Sequence, residues 1–170
     1  MLNFKTISKI INLGPLILLY YLSLSEIDSH FENYFEILSF NIQLIIIYFW
    51  VSKRPEALGS GHIFFAGLIN DVVMGFPLGI SSLSYLVVSL VATYVKNMTV
   101  NTRITTDWFT FFIAIFFSNL ILFILLSRFS EIIVSVTEIS YNTFFTLIFF
   151  PFFWFLFTYY NSIITTGRNV

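Results

Sequence analysis

The chain has 170 residues, of which 58% are hydrophobic and only 10% charged, with a net charge of −1 and a mean hydropathy of +0.89. A soluble domain carries roughly 25% charged residues, so this chain lacks the polar surface to cover a globule in water, and its composition suits a bilayer. Near-neutral charge leaves no basic footprint for nucleic acid. The absence of Cys excludes disulfides, thiolate metal sites and a Cys nucleophile. With His30 and His62 in different segments, no metal site and no cofactor is expected.

A helix needs about 20 predominantly apolar residues to cross the hydrocarbon core, and six segments qualify. Lys5 and Lys9 precede the first, Ile7–Leu24. Its layout superficially fits a signal peptide, but a small-x-small cleavage site is missing, so it is read as a retained helix. The second, Phe35–Val51, holds Asn41 and Gln43 and ends near Trp50. The third, Ala57–Met74, meets the fourth, Ile80–Val95, through the short turn Gly75-Phe76-Pro77-Leu78-Gly79, which makes them antiparallel neighbours. The fifth, Trp108–Leu126, contains Ser118 and Asn119. In Arg128–Ser140, Phe129, Ile132, Ile133, Val136 and Ile139 recur at helical spacing opposite Glu131, Ser135 and Glu138. That stretch is either a short helix lying on the membrane surface or an extension of the sixth span, Tyr141–Ile164. Pro15 and Pro151 fall inside spans, and Trp50, Trp108, Tyr159 and Tyr160 lie near span ends, as interfacial anchors do. The fold class is therefore an all-α integral membrane protein, a six-transmembrane-helix bundle forming a single domain over residues 1–170.

Basic residues orient that bundle. With six spans, Lys5, Lys9, Lys53, Arg54, Lys96, Arg103 and Arg168 fall on one side, and Arg128 alone falls on the other, with Glu26, Asp28, Glu32, Glu131 and Glu138. Both termini are expected in the cytoplasm, and the protein in the bacterial cytoplasmic (inner) membrane.

Polar groups in hydrocarbon need partners and mark inward faces. Ser60, Gly67, Asp71 and Gly75 share one face of the third span by helical spacing, and small residues there let a neighbour approach closely. Ser82, Ser89 and Thr93 form a stripe on the fourth span that can face it. Asp71 has two readings. The structural one makes it an acceptor for the Gly75–Gly79 turn or for Ser81 and Ser82; the functional one makes it a proton or ligand site. The structural reading is preferred because no second intramembrane acid or base accompanies it, as a relay requires. On that reading Asp71→Asn keeps hydrogen-bonding capacity and Asp71→Leu does not. Asn41, Gln43, Ser118 and Asn119 are read as hydrogen-bonding between helices. No HExxH, phosphate loop or paired-carboxylate spacing is present, and His62 is read as a packed or interfacial residue.

Tyr48 and Trp50 at the end of the second span are followed by Arg54-Pro55, then by the run from Gly67 to Gly79 with the pattern GLxxDxxxGxPLG, then by Tyr85 and Tyr94. Residues 44–97 thereby resemble the central part of the rod-shape-determining MreD family, and Pro151 and Trp154 in the last span suit it. The resemblance implies a six-helix fold similar to that of the substrate-binding S components of energy-coupling-factor transporters. It also implies a non-enzymatic role in cell elongation, in the membrane complex that couples MreB filaments to lateral peptidoglycan synthesis. An MreC-like protein is the implied direct partner, alongside other elongation-complex membrane proteins and membrane lipid. Arg54, Pro55, Gly67, Asp71, Gly75, Pro77, Gly79, Ser82 and Ser89 are the structural and interaction candidates; no catalytic residue is assigned. The alternative reading is a substrate-binding membrane subunit of a small-molecule, vitamin-type transporter, although the first span lacks the AxxxA pattern such subunits use for docking.

Overall fold

The computed structural model describes residues 4–25, 40–98, 103–129 and 136–166. Those residues form six helices and no strand: α1 (Phe4–Leu24), α2 (Ile42–Lys53), α3 (Ser60–Met74), α4 (Ile80–Met98), α5 (Ile104–Phe129) and α6 (Val136–Thr166). α1 and α6 continue through Pro15 and Pro151.

The shortest helix is the centre of the bundle. Every residue of α2 from Gln43 to Ser52 is buried, as its apolar, unstriped sequence Leu44-Ile45-Ile46-Ile47-Tyr48-Phe49-Trp50-Val51 requires of a helix with no wet face. Tyr48 packs on Phe111 of α5 and Phe150 of α6, whose rings stack 4.4 Å apart. Phe49 and Trp50 pack on Phe157 of α6, and Trp50 also meets Tyr160 edge-on. Trp50 is only 1% exposed, so it is a core residue and not the interfacial anchor its position suggested. Trp108 and Tyr159 are exposed, while Tyr160 lies against Gly14, where α1 and α6 come close.

α2 also begins later than its apolar run. Phe40 and Asn41 are not helical; Asn41 is the N-cap, its side-chain oxygen accepting from the Leu44 N–H at 3.1 Å. A local acceptor competes with helix propagation at such a residue and stops it. The expected start at Phe35 therefore moves to Ile42, while residues 35–39 lie outside the described part. With 12 residues α2 is about 18 Å long, shorter than a full crossing. Two helices, α5 (Ile104–Phe129) and the Val136–Ile164 part of α6, are long and apolar enough to cross a membrane by themselves. Arg128 and Phe129 belong to α5 and Val136–Ser140 to α6, so the described portion of 128–140 extends the two long helices; residues 130–135 lie outside it.

Large apolar side chains cover the described exterior as well as filling the core. Phe109, Phe116, Phe152 and Phe155 are more than half exposed, whereas Asp71, Ser82, Asp107 and Ser118 are fully buried. An apolar shell around polar interior contacts is what lipid demands.

Candidate functional site: the α3–α4 hairpin and two buried polar levels

Gly67 is where α3 and α4 touch. A Cβ built on it would fall closest to Ser82 Cα, 2.6 Å from the Ser82 nitrogen and 2.8 Å from its Oγ. Ser82 Oγ donates to the Phe64 carbonyl of α3 at 3.0 Å, so the two main chains are linked as well as close. The seam is narrower than spacing implied. Ser60 is exposed and Gly75 lies beyond the helix. Ser89 is buried, but Thr93 is exposed and donates to the Ser89 carbonyl of its own helix.

The turn after α3 is built by its glycines. Gly75 has φ +68°, the left-handed conformation that only Gly adopts freely. The Phe76 N–H then returns to the Asp71 carbonyl at 2.8 Å and the Gly75 N–H to Val72, which closes the helix with a Schellman pair. Pro77 follows, where a helix cannot continue. Gly79, at φ +103°, leads into α4 and has no side chain with which to cap it.

Asp71 supplies the missing cap from the neighbouring helix. Its Oδ2 accepts the Gly79 N–H at 2.7 Å and its Oδ1 accepts the Ser81 N–H at 2.8 Å. A carboxylate at a helix N-terminus satisfies orphan donors and meets the positive end of the helix dipole. Charge-assisted bonds of this kind contribute about 1.5–3 kcal/mol each. Asp71 thus serves the turn, through backbone donors, and needs no intramembrane partner of opposite charge.

Beside it, Gln43 of α2 donates from Nε2 to the Leu22 carbonyl of α1 (3.1 Å) and to Asn70 Oδ1 of α3 (3.2 Å); Asn70 Nδ2 in turn donates to Ser81 Oγ of α4 (3.1 Å). One chain of amides therefore links four helices. Further contacts fasten α5 and α6. Ser118 Oγ donates to the Ser84 carbonyl at 3.1 Å, Asn119 Nδ2 to Thr143 Oγ1 at 2.6 Å, and the Asn41 N–H to Thr146 Oγ1 at 2.9 Å.

A second buried level lies at the other end of α3, where α2 ends and α5 begins. Lys53 Nζ is 2.8 Å from Asp107 Oδ2, with Asp107 only 1% exposed. Trp154 Nε1 of α6 donates to the same oxygen at 2.9 Å, and Lys53 lies 5.8 Å from the centre of the Trp154 ring. Asp107 Oδ1 has no hydrogen-bond partner among the described residues. Asp107 stands in the first turn of α5, where a carboxylate is favoured. From sequence the fifth span starts at Trp108, which leaves this acid just outside it. An acid just ahead of a long apolar run is a helix-start signal, but nothing in the sequence points to Lys53 as its partner. Arg54 and Pro55 adjoin this level: Arg54 ends α2 with its N–H on the Trp50 carbonyl at 2.7 Å, and its own carbonyl accepts the Ala57 N–H.

The candidates therefore divide. Gly67, Asp71, Gly75, Pro77, Gly79 and Ser82 converge on one hairpin, Arg54 and Pro55 sit at its opposite end, and Ser89 lies further along α4. His62 is exposed, with Nδ1 3.3 Å from the Tyr20 hydroxyl. Among the described residues no group of three or more His, Cys, Asp or Glu is placed to hold a metal.

An all-helical bundle whose described exterior is apolar and whose buried polar groups join helices defines the class of membrane-associated helical proteins. The chain belongs to the MreD family: the model for rod shape-determining protein MreD matches residues 9–161. Its role accordingly lies in rod-shape determination, in a family of structural components and not of enzymes. No curated protein and no solved structure matches the chain, and the transporter-subunit alternative gains no support from the family match.

Proposed function

We propose that the protein is a non-enzymatic scaffold of the bacterial cell-elongation complex. In this reading it is one transmembrane domain that crosses the cytoplasmic membrane six times, in an S-component-like arrangement with both termini inside. It supports lateral peptidoglycan synthesis through an MreC-like partner and, through the complex, MreB filaments. The family match across residues 9–161 carries the reading. The rigid Gly67–Asp71–Ser81 hairpin and the Lys53–Asp107–Trp154 level suit a body that presents fixed surfaces. Arg54, Pro55 and the hairpin residues are its interaction candidates.

Depletion and affinity capture test the proposal. Loss of the chain is expected to widen and round the cells, and the tagged chain is expected to retain the MreC-like partner. Normal cell width together with normal placement of that partner after depletion would reject it. Reporter fusions at Arg54 and at residue 101 are expected to report the same side of the membrane; opposite sides would break the six-crossing topology.

A further inference from the structure

α6 runs for 31 residues with Pro151 in its middle. Proline has no N–H, and its ring crowds the carbonyl four residues back, so a helix is weak and bends at that step. The carbonyl left without its helical donor is that of Leu147. In hydrocarbon no water takes the donor's place, so a neighbouring helix has to supply one.

α5 supplies it. Trp108 Nε1 donates to the Leu147 carbonyl at 3.0 Å. Nearly half of Trp108 is exposed, so core packing alone does not account for its placement. Two further contacts bracket the proline. Phe111, one turn along α5, stacks on Phe150. Asp107 Oδ2 accepts from Trp154 Nε1 at 2.9 Å and also faces Lys53 Nζ. Residues 147, 150 and 154 share one face of α6 by helical spacing. The first two turns of α5 therefore clasp α6 just before, at and just after its weak step.

The two halves of α6 have separate anchors. Before Pro151, Thr143 accepts from the Asn119 side chain and Thr146 from the Asn41 N–H. After it, Phe157 and Tyr160 pack on Trp50 of α2. The angle between the halves is thus set at the proline, where the clasp sits. Through Lys53, the last residue of α2, the lower contact is also tied to the Arg54–Pro55 connection.

We propose that Pro151 is a hinge in α6 and that α5 locks it in one bend, with Trp108 holding Leu147 on one side and Asp107 holding Trp154 on the other. An unbroken helix would need no such lock; proline and clasp together give α6 a bend that can be released. The hinge belongs to the chain alone, so its failure leaves the shape-determining role untouched.

The test reads the bend directly. The chain has no Cys, so Tyr141→Cys and Tyr159→Cys, at exposed positions on either side of Pro151, carry the only two spin labels. They lie about 27 Å apart on a straight helix. Pulsed dipolar spectroscopy of the full chain in phosphatidylcholine nanodiscs gives the distance distribution, expected to be single and narrow. Trp108→Phe keeps an aromatic ring but loses the donor, and should broaden it roughly twofold. Trp154→Phe, which leaves Lys53 and Asp107 paired, should broaden it as well. Adding Pro151→Ala to either variant is expected to restore the narrow width, because the alanine N–H meets the Leu147 carbonyl and the weak step is gone. An unchanged width in either single variant would overturn the proposal. So would broadening that persists when Pro151→Ala is added, since the tryptophans would then be packing residues with no link to the proline. If Trp108→Phe yields no folded chain, recovery of folding by Pro151→Ala supports the lock and failure to recover overturns it.

Discussion

Gly67→Ala is the sharpest perturbation of the hairpin. The new methyl would lie 2.6 Å from the Ser82 nitrogen and 2.8 Å from its Oγ, where heavy atoms in contact sit about 3.5–4.0 Å apart. The obstacle is main chain, and Asp71 anchors that main chain at Gly79 and Ser81, so α4 cannot yield locally. Relief requires the helices to part by roughly 1 Å, which stretches the Ser82–Phe64 bond of 3.0 Å. Overpacking costs about 1–3 kcal/mol and a lost hydrogen bond about 1 more. The better helix propensity of Ala returns about 1 kcal/mol, leaving a net loss of about 1–3 kcal/mol. Reversible unfolding of the purified protein in detergent measures it. Gly61→Ala is the control: it lies on the same helix, exposed, with nothing within 4 Å of the built Cβ, and should gain about 0.4–1 kcal/mol. A Gly67→Ala protein as stable as the Gly61→Ala protein would refute the argument that the α3–α4 contact is limited by backbone.

Asp71→Asn is expected to be costly, against the view from sequence that it conserves hydrogen bonding. Asp71 accepts two N–H groups on two oxygens, whereas an amide turns its NH₂ toward one of them, so a loss of about 1–3 kcal/mol is expected in the same unfolding assay, and about twice that for Asp71→Leu. Asp107→Leu leaves Lys53 semi-buried without its carboxylate and should destabilise by about 3–5 kcal/mol, while Lys53→Met with Asp107→Leu recovers most of the loss. A double-mutant cycle with no coupling would mean that the pair contributes nothing. Gln43→Leu removes the link between α1 and α3 and leaves the Asn70 oxygen unmet; a loss of about 1–3 kcal/mol is expected, measured by thermal unfolding.

Hydropathy made the six helices legible as apolar segments, although two of them, α5 and α6, are long and apolar enough to cross a membrane by themselves. The hairpin was legible too, since the residues of its turn are neighbours along the chain and Gly75, Pro77 and Gly79 each have a specific backbone use. Long-range partners were not. Lys53 and Asp107 are separated by two whole helices, α3 and α4, and each alone looks like an ordinary loop charge. Trp50 shows the same blindness: proximity to a span end suggests an anchor, and only the arrangement of α6 around α2 buries it. In sequence Asn41 is one more polar residue within an apolar span, whereas its side-chain oxygen defines where α2 begins.

Asp71 and the donors it satisfies are at most ten residues apart. A carboxylate exposed to acyl chains is unfavourable by a few kcal/mol, and loops this short close quickly and at little entropic cost. The acid is therefore satisfied within the α3–α4 hairpin itself, by donors that require neither α5 nor α6. α3 and α4 thus form a self-closed pin, against which α5 and α6 have only to pack.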